Sequence, residues 1–252
     1  MLSIASTAGT LDILCPTVWG AGHVTPDLPN VEIAIIEMTN DFRRENRLSE
    51  LKRNRTLDEA ARAFAAYLAQ TGKFSHTADG RRPADRTRLA GYQHCRVSEN
   101  LALNVDSRGF RTRQLARGAV DGWKKSPPHR KAMMDPYVTE IGVGVFKANK
   151  EHRYLSVQLF GRPRALQYRF TIRNMAGQRV GYSHTGRSHE LPPRTEVQHT
   201  ECNPANLRFE RIRQANRKRG RGAEFATRDG DLFIVRHSRL GRLVVEHHPR
   251  VN

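Results

Sequence analysis

Apolar positions recur at three- and four-residue spacing in three stretches before Pro127. After Pro29, Val31, Ala34, Ile35, Met38 and Phe42 form a stripe with Glu32, Asp41, Arg43 and Arg44 between them, which predicts an amphipathic helix. Arg47 to Arg55 is polar and reads as a connection. The clearest stripe follows, from Leu57, Ala60, Ala61, Phe64, Ala65 and Leu68; Thr56 and Glu59 predict a capping box at its start, and Gly72 a stop. Leu115, Ala119 and Trp123 predict a third helix over 113–123. Between these, Phe74 to Gly80 is a turn-rich loop, and Pro83 opens a short helix ending near Gly91. Cys95 to Asn104 reads as a short strand or an irregular buried segment. Pro127 and Pro128 stop the third helix and turn the chain, so His129 is expected just past its end.

The period then changes to two. Ile141, Val143 and Val145 alternate with Gly142 and Gly144, and Leu155, Val157 and Leu159 alternate with Ser156 and Gln158, which predicts a hairpin. Helices followed by a hairpin imply an α+β unit, with helices packed on a small sheet, closing at Phe160-Gly161-Arg162-Pro163. Beyond it come short strands at 168–173, 179–182, 196–199, 207–210, 232–235 and 243–245, divided by turn signals such as 174–177 and Asp229-Gly230. They predict a second, all-β domain, a small sandwich or barrel. The chain thus divides into a leader over 1–29, an α+β domain over 30–162 and a basic all-β domain over 163–252.

Composition adds three constraints. At 38% hydrophobic over 252 residues the chain can bury a core. Its formal charge is +18, and both larger segments carry a basic excess, so the charge is spread and suits anionic surfaces such as envelope polymers or lipid head groups. The run Arg211 to Arg221 holds six basic residues in eleven, and is either a solvated loop or an anion-binding one. Nucleic acid is disfavoured, because no aromatic interleaving accompanies that run. No Cys-x-x-Cys exists; of Cys15, Cys95 and Cys202, the last two remain as a possible pair if the leader is removed. Residues 1–22 loosely resemble a signal peptide without a basic start, or else form a disordered leader, and no run reaches the roughly 20 apolar residues that span a bilayer.

Several pieces fall in a telling order over residues 30–162. They are the opening helix with Asn40, Arg43 and Arg44, the Ala-rich helix from Leu57, Phe74-Ser75-His76-Thr77, Gly80-Arg81-Arg82-Pro83-Ala84-Asp85-Arg86 and Ser98-Glu99-Asn100-Leu101-Ala102. Trp123 to Arg130, Ile141 to Val145 and Tyr154 to Gly161 complete the set. Together they resemble the CAP superfamily of cysteine-rich secretory proteins, antigen 5 and pathogenesis-related proteins, in its bacterial secreted, SCP-like branch. The resemblance implies a three-layer α-β-α sandwich and a secreted or cell-envelope location. It implies a central cleft lined by His76, His129 and Glu99. The position that carries a second glutamate in larger members is Ser126 here.

Two imidazoles and a carboxylate suit a divalent cation, zinc included, with His76, His129 and Glu99 as ligands. The same trio also suits a hydrogen-bonded structural cluster in which Glu99 orients the histidines and Asn100 ties down the neighbouring backbone. The expected cleft is therefore His76, Glu99, Asn100, Ser126 and His129, serving a binding module for a cation or a small or lipidic ligand. A hydrolase dependent on metal or on Ser126 is the alternative, although no Gly-x-Ser-x-Gly elbow exists. Adhesion to anionic envelope polymers through the basic β domain is the third reading. Trp123 reads as a core anchor, and Arg86 either as a partner for an acid at the cleft edge or as a solvent-facing side chain. The histidines at 184, 189, 199, 237, 247 and 248 show no spacing that predicts a metal site.

Overall fold

The structure is a computed structural model that describes residues 25–148, 152–215 and 222–250. The leader up to Val24, and residues 216–221 of the basic run, lie outside the described residues. The first region contains helices α1 (Leu28–Glu45), α2 (Arg55–Thr71), α3 (Pro83–Leu89), α4 (Thr112–Lys125) and α5 (Pro127–Met133). Its strands are β1 (Lys52–Arg53), β2 (His94–Val105), β3 (Glu140–Lys147) and β4 (Arg153–Pro163), in the order β1-β3-β4-β2. None of the described helices is long and apolar enough to cross a membrane.

Three layers follow from the alternation of the central strands. Ile141, Val143 and Val145 of β3, with Tyr154 and Phe160 of β4, pack against α1, α4 and α5. Leu155, Val157 and Leu159 of β4 turn the other way, onto α2 and Leu101 of β2. On β3 the α2 face is built from Gly142 and Gly144. A Cβ atom added to Gly142 would stand 2.3 Å from the Leu57 carbonyl carbon, and one added to Gly144 would stand 2.1 Å from Arg62 N. The helix backbone therefore lies directly on the strand, which is why the alternation has glycine there. Because β1 spans two residues, the next amides of β3 have no strand partner; Asp58 and Glu32 accept from Val143 N and Val145 N instead, at 2.8 and 3.2 Å. Those buried carboxylates are in turn paired with Arg53 and Arg62, as buried charge requires.

Two local expectations change. The start of α2 is not a Thr56–Glu59 capping box: Asn54 is the N-cap, and its Oδ1 accepts from Thr56 N and Leu57 N. Asn54 lies within the polar connection and precedes the stripe by three residues, so the periodicity marked the packed face but not the cap. The prolines also do more than stop a helix. Ser126 closes α4 and Pro127 opens α5, which places His129 in the first turn of a new helix. Proline at the first position lacks an amide that would be unpaired there anyway, so it starts a helix as readily as it ends one. Gly72 closes α2 in the left-handed conformation, as expected.

The second region is β-rich throughout. It comprises β5 (Tyr168–Asn174), β6 (Val180–His184), β7 (Arg187–Leu191), β8 (Glu196–Glu201), β9 (Asn206–Glu210), β10 (Arg213–Gln214), β11 (Gly222–Ala226), β12 (Leu232–His237) and β13 (Leu243–His248). A five-stranded sheet, β10-β13-β12-β5-β8, and a four-stranded one, β11-β9-β6-β7, share a core of Phe170, Ile172, Tyr182, Leu207, Phe209, Phe233 and Val235. Sequence periodicity missed β7, β10 and β11. The first is Arg-Ser-His-Glu-Leu, with Leu191 its buried apolar residue; hairpin pairing with β6 across Thr185-Gly186 holds it in the sheet. Cys95 of β2 and Cys202 after β8 are joined by a disulfide that ties the two regions together.

Candidate functional site

β2 is the free edge of the first sheet, and its neighbouring side chains point to opposite faces. Glu99 faces the α2–α3 side and Asn100 the α4–α5 side. This brings both expected histidines to one strand by different routes.

On the first side, Glu99 is buried at the centre of a charged cluster. Arg86 Nη2 donates to both its oxygens, at 2.9 and 2.7 Å, and Arg86 Nη1 donates to Asp79 at 2.9 Å. The same guanidinium donates to the carbonyls of His76 and Arg81 and lies 3.4 Å from the centre of the Phe64 ring. Of the two settings that the sequence allowed Arg86, the structure has pairing with acids rather than exposure to solvent, and the residue also shapes the loop that carries His76. His76 Nδ1 is 2.9 Å from Glu99 Oε1, and nearly half of the His76 side chain is exposed. Donation from Nδ1 to the carboxylate leaves the Nε2 lone pair free. Glu99 therefore bonds as an orienting carboxylate.

On the second side, Asn100 Nδ2 donates to the His129 carbonyl at 3.2 Å and to Gln158 Oε1 at 3.1 Å. Gln158 Nε2 continues to Thr39 Oγ1, which donates to the Ile35 carbonyl on α1. Gln158, a polar position of the β4 alternation, is thus buried in a network rather than facing water. Arg43 of α1 fixes the other end of α5 by donating to the carbonyls of Met133 and Asp135 at 2.7 and 3.0 Å, and burial holds its pKa below the usual arginine value. Trp123 is fully buried, as expected of an anchor, and its Nε1 donates to the Leu101 carbonyl on β2. Helix α5 is therefore pinned at both ends, and His129 with it. Burial, and secondarily the proximity of His76, holds His129 below the usual histidine range.

Ser126 sits at the α4–α5 junction, half-buried, and its side chain caps neither helix. Among the described residues no base is hydrogen-bonded to Ser126 Oγ. A groove of about 570 Å³ runs between α2 and α3, lined by Ala60, Ala63, Phe64, Tyr67 and Leu89 together with Arg86.

Among the described residues, the three ligand atoms that lie within 4.8 Å of one another belong to His184, His199 and Glu201, in the second region. Spacing gave no sign of this group because its members come from two sheets.

The family model for the cysteine-rich secretory protein (CAP) family matches residues 36–160. Those residues belong to the CAP family. The matched span runs from α1 to β4 and contains both histidines and Glu99. Among curated proteins, the chain is 30% identical over 114 residues to the uncharacterized protein YkwD of Bacillus subtilis, covering 45% of this chain and 41% of the relative. The chain thus spans less than half the length of that relative. Among solved structures, it is similar to an outer surface protein of Borrelia burgdorferi, with 23% identity, TM-score 0.44, and coverage of 52% of this chain and 90% of that one. It is also similar to an extracellular SCP-domain protein of Bacillus anthracis, with 24% identity, TM-score 0.45, and coverage of 54% and 41%.

Proposed function

We propose that the chain is an extracytoplasmic binding module whose CAP cleft holds a divalent cation, zinc or a similar ion, through His76 and His129. The observation that carries this reading is the Glu99–His76 contact. A carboxylate that accepts a hydrogen bond from Nδ1 presents Nε2 as a ligand, the usual outer support of a metal-bound histidine. Glu99 would then orient His76 while Arg86 neutralises it, leaving the two imidazoles as the protein ligands that would hold the ion. A bound cation would polarise a ligand's oxygen atoms. The disulfide between Cys95 and Cys202 supports a location outside the reducing cytoplasm. We also propose that the chain divides functionally into a CAP domain over 30–162 and a β domain over 163–252, after a leader.

The test is zinc calorimetry on the full chain. His76→Ala and His129→Ala should each abolish cleft-bound zinc, and Glu99→Gln should weaken it roughly 10–100-fold. Unchanged affinity in both histidine variants would remove the site. A second reading, a small or lipidic ligand, is favoured by the apolar groove between α2 and α3. It predicts fatty-acid binding that Ala63→Trp blocks and that His129→Ala leaves intact. The alternative of a serine hydrolase would require turnover lost in Ser126→Ala, from a serine with no base on it.

A further inference from the structure

We propose a second divalent-metal site, of zinc type, in the β-rich region, made by His184, His199 and Glu201. The group joins two sheets. His184 ends β6 in the four-stranded sheet, whereas His199 and Glu201 lie two residues apart on β8, the edge of the five-stranded sheet, and so share one face. Their three ligand atoms lie within 4.8 Å of one another.

The bonding around His184 calls for a cation. The ring is buried, and its Nδ1 lies 3.2 Å from the Asn206 carbonyl, an acceptor that requires a proton on that nitrogen. In the neutral ring Nε2 is then a lone pair. That lone pair stands 2.9 Å from Glu201 Oε1, another acceptor, and Nε2 makes no hydrogen bond of acceptable geometry. Two acceptors facing each other in a buried place repel unless a positive charge joins them. A metal ion does so using the nitrogen and the oxygen as ligands, and an imidazolium proton is the competing way. The 2.9 Å separation is about half an ångström shorter than the roughly 3.4 Å ligand–ligand edge of a tetrahedron with 2.0–2.1 Å bonds, so the Glu201 carboxylate would draw back slightly to admit the ion.

The surroundings are those of a supported site. His199 Nε2 is 2.9 Å from Tyr182 Oη, and the Phe170 ring stacks on His199 and meets His184 edge-on. These contacts fix both ring planes, as the outer shell of a metal site does. About a fifth of the Glu201 side chain is exposed, which gives an ion and its water a way in. Cys202, the next residue, anchors this end of β8 through the disulfide to Cys95.

The ligand is a borderline divalent ion that accepts two imidazoles and a carboxylate, zinc before magnesium or calcium. The experiment is zinc titration of the metal-stripped full chain by native mass spectrometry and calorimetry, in a His76→Ala/His129→Ala background that removes the cleft site. One zinc per chain is expected, lost or weakened at least 100-fold in Glu201→Gln and in His199→Ala, with cobalt giving a tetrahedral visible spectrum only where zinc binds. The reverse background, His184→Ala/His199→Ala, keeps the cleft zinc if that reading holds, so each site fails separately. Because His184 is buried and its variant can unfold, Glu201→Gln carries the test, with circular dichroism to show that the fold is kept. No zinc uptake by the cleft-deleted chain, or uptake unchanged by Glu201→Gln, would overturn the site and leave the imidazolium–carboxylate pair in its place.

Discussion

The residues expected to line the cleft and the cluster in the β-rich region are of the same types, two histidines and a glutamate, yet they are held differently. In the cleft, Glu99 is neutralised by a buried arginine and turned into a support for His76. In the β-rich region no arginine reaches Glu201 among the described residues; its near neighbour is the unpartnered Nε2 of His184. The difference teaches that an inventory of ligand-type residues does not define a site. What matters is which other charges reach the carboxylate first.

The sharpest way to break this comparison is to remove the arginine. Arg86→Ala leaves the buried Glu99 with the His76 contact but no permanent positive charge, and should cost about 3–5 kcal/mol in chemical denaturation. Replacing Arg86 and Glu99 together by methionine should recover most of that loss, since a buried pair and a well-packed apolar pair are often of similar stability. A loss below about 1 kcal/mol in Arg86→Ala would mean that Glu99 is not held as described.

Next in size is the covalent tie between the two regions. Cys95→Ser/Cys202→Ser opens a closure of 107 residues and should lower stability by about 4 kcal/mol in thermal or urea unfolding. Two separate transitions in the variant, against one in the parent, would show that the disulfide is what couples the cleft region to the β-rich region.

The smallest effect expected is on pH. His129 is held below the usual histidine range by burial and then by His76, so folding disfavours its proton. That contribution to stability is present above the unfolded histidine value, about 6.5, and is lost as pH falls below it. The same shift keeps His129 neutral, and able to bind a cation, at lower pH than an ordinary histidine. Urea unfolding across this range should therefore show the parent losing stability relative to His129→Gln as pH falls below about 6.5. A fall centred above that value would contradict the shift.

How much of this was legible in the sequence varies with the range of the interactions involved. The stripes of α1, α2 and α4 and the alternation of β3 and β4 mark their elements because each is an apolar face repeated at its own period. The order of the motifs around His76, Glu99 and His129 carried the family and the cleft. Short elements without an apolar stripe were not legible, as β7 and the Asn54 cap show, because hydrogen bonds to neighbouring elements define them.

By itself, the sequence determined the helices and hairpin of the first region, the β-rich second region and the anchoring of Trp123, and through the family resemblance it led us to expect three layers and His76, Glu99 and His129 along one cleft. Local periodicity and turn chemistry are sufficient for the elements, since each depends on residues close along the chain, and the order of the motifs supplied the cleft. Only the tertiary structure decided that Arg86 occupies Glu99, that Cys95 meets Cys202, and that His184 faces Glu201 across two sheets. Such contacts join residues brought together by chain closure, and no spacing along the sequence encodes which side chain arrives first.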